Sequence, residues 1–169
     1  VMDEGRGIPM DILEEAVMTK HVTTKNLVLS ESRNKKQTGL NGVGMTLVAA
    51  LTDYMSVTTF RGTHMKRISL LDGIKTEDTV MPLKKEDQTT GTMTEFIPSK
   101  KYLGDFHIDN DMVMDFLRNM SYIVEPDVEL TLTLEDAPKK HKTTIMKAQG
   151  LSAAVKYMSS DLEFPPVEI

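Results

Sequence analysis

Val128, Leu130, Leu132 and Leu134 alternate with polar residues and make the clearest strand of the chain, because side chains two apart share one face of a pleated strand. The same reasoning gives a hairpin from residues 55–60 and 65–71 around a turn at 61–64 that contains Gly62. A further run at 79–83 follows Asp72-Gly73, residues 92–96 form a strand with one side buried, and 143–147 return after a turn at 136–140. Helical spacing shows in four places. Ile12, Leu13, Ala16 and Val17 share one face behind an Asp11-x-x-Glu14 cap. Residues 45–51 are apolar and free of proline and glycine. Val113, Phe116, Leu117 and Met120 give a core-packing face to a helix capped by Asp109-Asn110, and 151–158 form a short helix after Gly150. Val1 and Met2 read as the last step of a strand that Asp3 ends.

Two glycine stretches interrupt this pattern. Gly39-Leu40-Asn41-Gly42-Val43-Gly44 runs without a break into the helix at 45–51. A glycine turn feeding a helix N-terminus offers unpaired N–H groups and the positive end of the helix dipole, which suits phosphate. The plainer alternative is a flexible loop before a core helix. The missing G-K-[ST] ending excludes a Walker A loop, and the spacing is not that of a dinucleotide fold. The other stretch is Asp3-Glu4-Gly5-Arg6-Gly7-Ile8-Pro9. A carboxylate at a strand end can accept from an exocyclic amine, and the glycines leave room for a flat ring. Here the alternative is an acidic turn with a buried Arg6–carboxylate ion pair. Between the stretches, residues 22–38 are polar, with little to anchor them in a core; 84–88 read as a solvated loop.

Composition narrows the classes. With 169 residues, 40% hydrophobic and 27% charged, the chain supports an ordinary globular core. Zero cysteines exclude a disulfide framework or thiolate metal site. A net charge of −5 argues against a DNA-gripping surface, which needs clustered Lys and Arg. His64, His107 and His141 lack metal-ligand spacing. No apolar run approaches a membrane span or signal peptide. The 13 methionines, Met45 among them, read as adaptable core filler.

Taken together, the two glycine stretches resemble the GHKL ATPases, and within them the ATPase region of the B subunit of bacterial type II topoisomerases, DNA gyrase and topoisomerase IV. Further stretches carry the likeness. Val43-Gly44 through Ala49-Ala50-Leu51 resembles that family's GVG…VNALS helix, with Ala49 where Asn is usual. Thr59-Phe60-Arg61-Gly62 resembles its RDG/REG hairpin. Thr90-Gly91-Thr92 through Pro98-Ser99 is similar to its TGTxVxFxPS strand, and the helical region 106–123 to its F…LxxRLRELAFL helix. His21 and Lys25 stand where these subunits have HAGGK, although Val22-Thr23-Thr24 replaces the small residues. The helix after Pro9 is short for gyrase and closer to MutL-like proteins.

The resemblance implies an α+β domain of GHKL (Bergerat) fold, a mixed sheet with helices on one face and the nucleotide between sheet and lid. It implies that 1–160 form the ATP-binding domain and 161–169, with Pro165-Pro166, the start of a linker to a transducer domain. Asp3 would read the adenine amine with Thr92 beside it; Gly5, Gly7, Ile8 and Pro9 would shape the pocket; Arg6 and Arg61 would line its mouth. Lys25, Gly39, Leu40, Asn41, Gly42, Val43 and Gly44 would hold the phosphates, and 22–38 would be the ATP lid. The implied cofactors are ATP and Mg2+. The implied partners are DNA, the topoisomerase A subunit and a second B subunit, all through other regions, with no membrane and a cytoplasmic location. The family's water-activating glutamate and magnesium-binding asparagine lie on a helix ahead of the Asp3 strand, so the chain reads as an N-terminally truncated fragment with no catalytic or metal residue of its own. Two other readings remain: a MutL-like or chaperone-like relative, and a non-hydrolysing nucleotide switch.

Overall fold

The structure, a computed structural model, describes residues 1–19, 43–105, 107–136 and 140–159. The chain divides into two compact units, Val1–Phe106 and His107–Ile169.

The first unit is built on a five-stranded sheet of order β1-β5-β2-β3-β4. Its strands are β1 (Met2–Asp3), β2 (Thr52–Gly62), β3 (His64–Leu71), β4 (Ile74–Pro82) and β5 (Thr89–Pro98). Every pairing is antiparallel, where a mixed sheet was expected. The reason is local connection: β2, β3 and β4 follow one another through tight turns, which only antiparallel neighbours permit. The β2–β3 turn shrinks to Gly62 and Thr63, because Arg61 and His64 already pair. Between β3 and β4, Asp72 (φ 49°) and Gly73 (φ 75°) supply the two positive φ angles of a two-residue hairpin loop. That loop lets β4 begin at Ile74, so the strand expected at 79–83 is longer.

Helices α1 (Leu13–Met18) and α2 (Gly44–Ala50) lie on one face of this sheet, and a single turn of helix, α3 (Lys100–Leu103), follows β5. Leu13, Val17 and Ala49 from the helices join Met55 and Val57 of β2 and Ile68 and Leu70 of β3 in a single buried cluster. Met45 and Val48 pack on it, as core filler does. The expected Asp11 cap does not form. Ile12 is the N-cap, with no side-chain bond, because its N–H is drawn back to the Pro9 carbonyl at 3.3 Å and the turn begins there. Lys75 on β4 ties α1 to the sheet edge by its 2.7 Å contact with Glu14, and it also reaches Asp78 at 3.2 Å.

The opposite face of the sheet is polar at its centre. Arg67 donates to the Tyr54 hydroxyl at 3.1 Å and to Ser56 Oγ at 3.2 Å, and pairs with Glu95 at 3.4 Å and Glu77 at 3.6 Å. Ser56 donates to Glu95 and Ser69 to Glu77. Hydrogen bonding to Ser56 and to Arg67 holds the Tyr54 hydroxyl below its ordinary pKa.

In the second unit, α4 (Asn110–Ser121) accompanies the hairpin β6 (Glu129–Asp136) and β7 (Lys140–Lys147), with α5 (Gly150–Met158) after it. Asp109 caps α4 as expected, accepting from the Asp111 and Met112 N–H groups. Leu130, Leu132 and Leu134 are half-buried and the threonines between them exposed, so the alternation holds there, whereas Val128 lies ahead of β6 and is exposed. Val113, Leu117 and Met120 are half-buried, but Phe116 is 61% exposed and leaves the expected core face. Met114 and Arg118 take its place, because the buried stripe of α4 is turned toward Ser121, whose carbonyl and hydroxyl bind Gln149 at 2.7 and 2.8 Å.

Candidate functional site

β1 is only two residues long, yet its register is set: Met2 faces Met93 and Asp3 faces Thr92. Thr92 in turn faces Thr59 of β2. Directly paired residues project from the same face of a sheet. Asp3, Thr92 and Thr59 therefore form one polar row across three strands, on the face that carries the helices. The row lies two residues beyond Val57, where the apolar core gives way. Asp3 is exposed, Thr92 half-buried and Thr59 wholly buried.

Past Asp3 the chain turns back over the end of the sheet. The Gly5 N–H donates to Asp3 Oδ1 at 2.9 Å, closing a small Asx turn. The next carbonyls are taken by β2 side chains. Arg61 Nη1 donates to the carbonyls of Arg6 and Gly7 at 2.9 and 3.2 Å, and the Thr59 hydroxyl to that of Ile8 at 2.7 Å. The approach is too close for side chains. A Cβ at Gly7 (φ 70°) would lie 2.5 Å from the Phe60 carbonyl oxygen, and one at Gly91 (φ 144°) 2.0 Å from that of Asp3. Ile8 and Pro9 are half-buried, with Ile8 packed on the core. Arg6 is exposed, and the ion pair that a plain acidic turn would need does not form among the described residues.

Sequence reasoning thus picked out Asp3, Gly5, Gly7, Ile8, Pro9, Arg61 and Thr92, which meet at one end of β1, β2 and β5. It missed Thr59 and the steric role of Gly91. Gly91 had a signal, a glycine inside a strand of threonines, which marks a close backbone approach. Thr59 had none, since a threonine in a strand is ordinary. Val43 caps α2 without a side-chain bond and Gly44 opens the helix, exposed. Thr46 on α2 donates to the Thr19 carbonyl at 3.2 Å, so the helix ends that bracket 20–42 are tied together. Lys25, Gly39, Leu40, Asn41 and Gly42 lie outside the described residues, as do residues 22–38 and 161–169. Among the described residues no three His, Asp or Glu side chains gather as metal ligands, and no helix is long and apolar enough to cross a membrane.

A carboxylate and a hydroxyl side by side, facing a rigid glycine turn at the rim of an apolar core, can receive a flat heterocycle by its donor edge. The fold around that site has known counterparts. It resembles the 43K ATPase domain of Thermus thermophilus gyrase B, solved with an aminocoumarin, with TM-score 0.67 and 25% identity over 98% of this chain and 42% of that one. In sequence the chain is 30% identical over 168 residues to the B subunit of DNA topoisomerase 4 from Francisella tularensis subsp. holarctica, covering 96% of this chain and 26% of that protein. It is 28% identical over 166 residues to the B subunit of DNA gyrase from Rickettsia bellii, covering 94% and 20%. No family model matches the chain. The class of fold is therefore the α+β fold of GHKL ATPase domains. Within it, nearly the whole chain matches the ATPase region of the B subunits of bacterial type II topoisomerases. It spans about a quarter of the length of the curated relatives it matches.

Proposed function

We propose that this chain binds ATP as the nucleotide-binding part of a type II topoisomerase B-like ATPase, with residues 1–160 as that domain and 161–169 leading out of it. The observation that carries the reading is the Asp3–Thr92 pairing beside a turn whose path requires Gly7 and Gly91. A carboxylate accepts at several lone-pair sites, so its bond to Gly5 leaves capacity for the adenine amine, with the Thr92 hydroxyl alongside. Gly5, Gly7, Ile8 and Pro9 shape the adenine pocket, and Arg6 stands at its mouth. Backbone N–H groups from Gly39 to Gly44, with Lys25, receive the phosphates, and 22–38 close as a lid.

Magnesium suits this donor set only through the nucleotide, held by phosphate oxygens and water, since the described residues offer no carboxylate cluster. In the intact protein the same site serves ATP-driven dimer gating and DNA strand passage, with DNA, the A subunit and a second B subunit engaged elsewhere. The 169 residues by themselves bind nucleotide without turning it over. Glu4, the carboxylate nearest the site in sequence, lies in the turn next to Asp3 and matches no base of the family.

Calorimetry on Asp3→Asn tests the reading. Losing a hydrogen bond to a charged acceptor costs roughly 1.5–3 kcal/mol, about tenfold to a hundredfold in ATP affinity. Unchanged affinity would remove Asp3 from the site.

A further inference from the structure

Four successive carbonyls of the glycine turn, those of Arg6, Gly7, Ile8 and Pro9, all accept hydrogen bonds. Three of them are held by two side chains of β2, Arg61 and Thr59, from more than fifty residues away in sequence. Asp3 stands on a strand of two residues, too short to orient a carboxylate by pairing alone. Its Oδ1 is bound to the Gly5 N–H, so wherever the turn moves, the carboxylate moves with it. Thr59 is also the third member of the Asp3–Thr92 row and is 0% exposed, which gives its hydroxyl one fixed direction.

We infer that Thr59 and Arg61 act as a positioning pair that sets base selectivity, by holding the 6–8 backbone so that the Asp3 carboxylate meets the ring edge at hydrogen-bond distance. This rests on the nucleotide reading above. Adenine presents an exocyclic amine, a donor, at the position where guanine presents a carbonyl, an acceptor. A fixed carboxylate rewards the first and repels the second; a carboxylate free to swing does neither. Discrimination therefore depends on the two side chains that fix the turn, although neither is required to touch the base. Arg61 grips two carbonyls through one nitrogen of a planar group on an exposed stem, and a lysine there offers only a point donor.

The test measures ATP and GTP affinity by calorimetry for wild type, Thr59→Val, Thr59→Ser, Arg61→Ala and Arg61→Lys, alongside hydrogen exchange at the Gly5, Gly7 and Ile8 amides. ATP binding falls about tenfold in Thr59→Val and Arg61→Ala while GTP binding holds, so the ATP-to-GTP ratio collapses. Thr59→Ser, which keeps the hydroxyl, restores the ratio, and Arg61→Lys restores it in part. Exchange at the turn rises in the first two variants without ligand. An unchanged ratio in both Thr59→Val and Arg61→Ala overturns the proposal. So does an equal loss of both nucleotides that follows the melting temperature, since that is what a merely structural role predicts. Wild-type protein that binds neither nucleotide removes the nucleotide reading and the selectivity role with it; the exchange data then decide separately whether the pair holds the turn.

Discussion

The two faces of the five-stranded sheet solve opposite problems with the same strands. Along β2, Met55, Val57 and Thr59 point toward the helices, while Tyr54, Ser56 and Thr58 point away. The first set merges with Leu13, Val17, Ile68 and Leu70 into the apolar cluster, then ends in a hydroxyl where the candidate site begins. The second set meets Arg67, Ser69, Glu77 and Glu95, and the polar groups bind mainly one another. One face thus draws stability from excluding water. The other is a lattice in which each charge answers a neighbour, with the Thr58 hydroxyl buried beside it and given no hydrogen-bond partner among the described residues. The site stands at the rim of the first face, where rigid packing positions polar groups without burying all of them.

Truncating the apolar face should cost most. Ile68→Ala removes a side chain that is 1% exposed and leaves a cavity, lowering stability by about 2–5 kcal/mol in urea unfolding. A midpoint close to wild type would mean that the helices do not pack on β3. Gly91→Ala strikes where the faces meet at β1. Its Cβ would collide with the Asp3 backbone, so β1 must shift, at about 1–3 kcal/mol. ATP affinity should fall together with stability in this variant, and ATP binding that survives intact would detach Asp3 from the site.

On the polar face, Arg67→Leu leaves Glu77 and Glu95 without their cation. Because all three side chains are 30–49% exposed, the loss should be only about 1–2 kcal/mol, and weaker in salt. A loss as large as that of Ile68→Ala would show that this face is buried against something in solution. The smallest effect belongs to Asp78. Partial burial pushes its carboxyl up, but the hydrogen bonds from Lys75 and Lys66 outweigh this and hold it below its ordinary 3.8. A lowered carboxyl pKa gives stability that is present above 3.8 and lost as the pH falls through the folded value. Asp78→Asn should therefore lower stability slightly at neutral pH, leave it unchanged below the folded value, and so flatten the acid limb of the stability profile. An unaltered acid limb would show that neither Lys75 nor Lys66 holds Asp78 in solution.

The difference between the faces also explains what could be read in advance. Strict alternation announced the strand at Leu130, Leu132 and Leu134, and glycines announced the turns, because these signals lie within a few neighbouring residues. The Asp3–Thr92 adjacency came from resemblance alone, since no local pattern records which strands pair. The grip of Arg61 and Thr59 on the glycine turn joins residues more than fifty apart, so nothing near either residue betrays it. Asp11 looked like a cap by spacing, yet a backbone bond from Ile12 to Pro9 reached the helix start first. Phe116 fitted the helical stripe but not the rotation that Ser121 and Gln149 impose.

Gly91 has a consequence for how the chain finds this arrangement. A one-residue slip of β5 exchanges the two faces at once and takes Glu95 away from Ser56 and Arg67. A slip of two residues keeps the faces and would pass that check. It would, however, bring Thr89 or Met93 to the spot where any Cβ lies 2.0 Å from the Asp3 carbonyl oxygen. Only the native alignment sets a residue without a side chain there. Gly91 thus fixes the alignment of β5 against β1, rejecting the two-residue slips that the alternation of faces alone would accept.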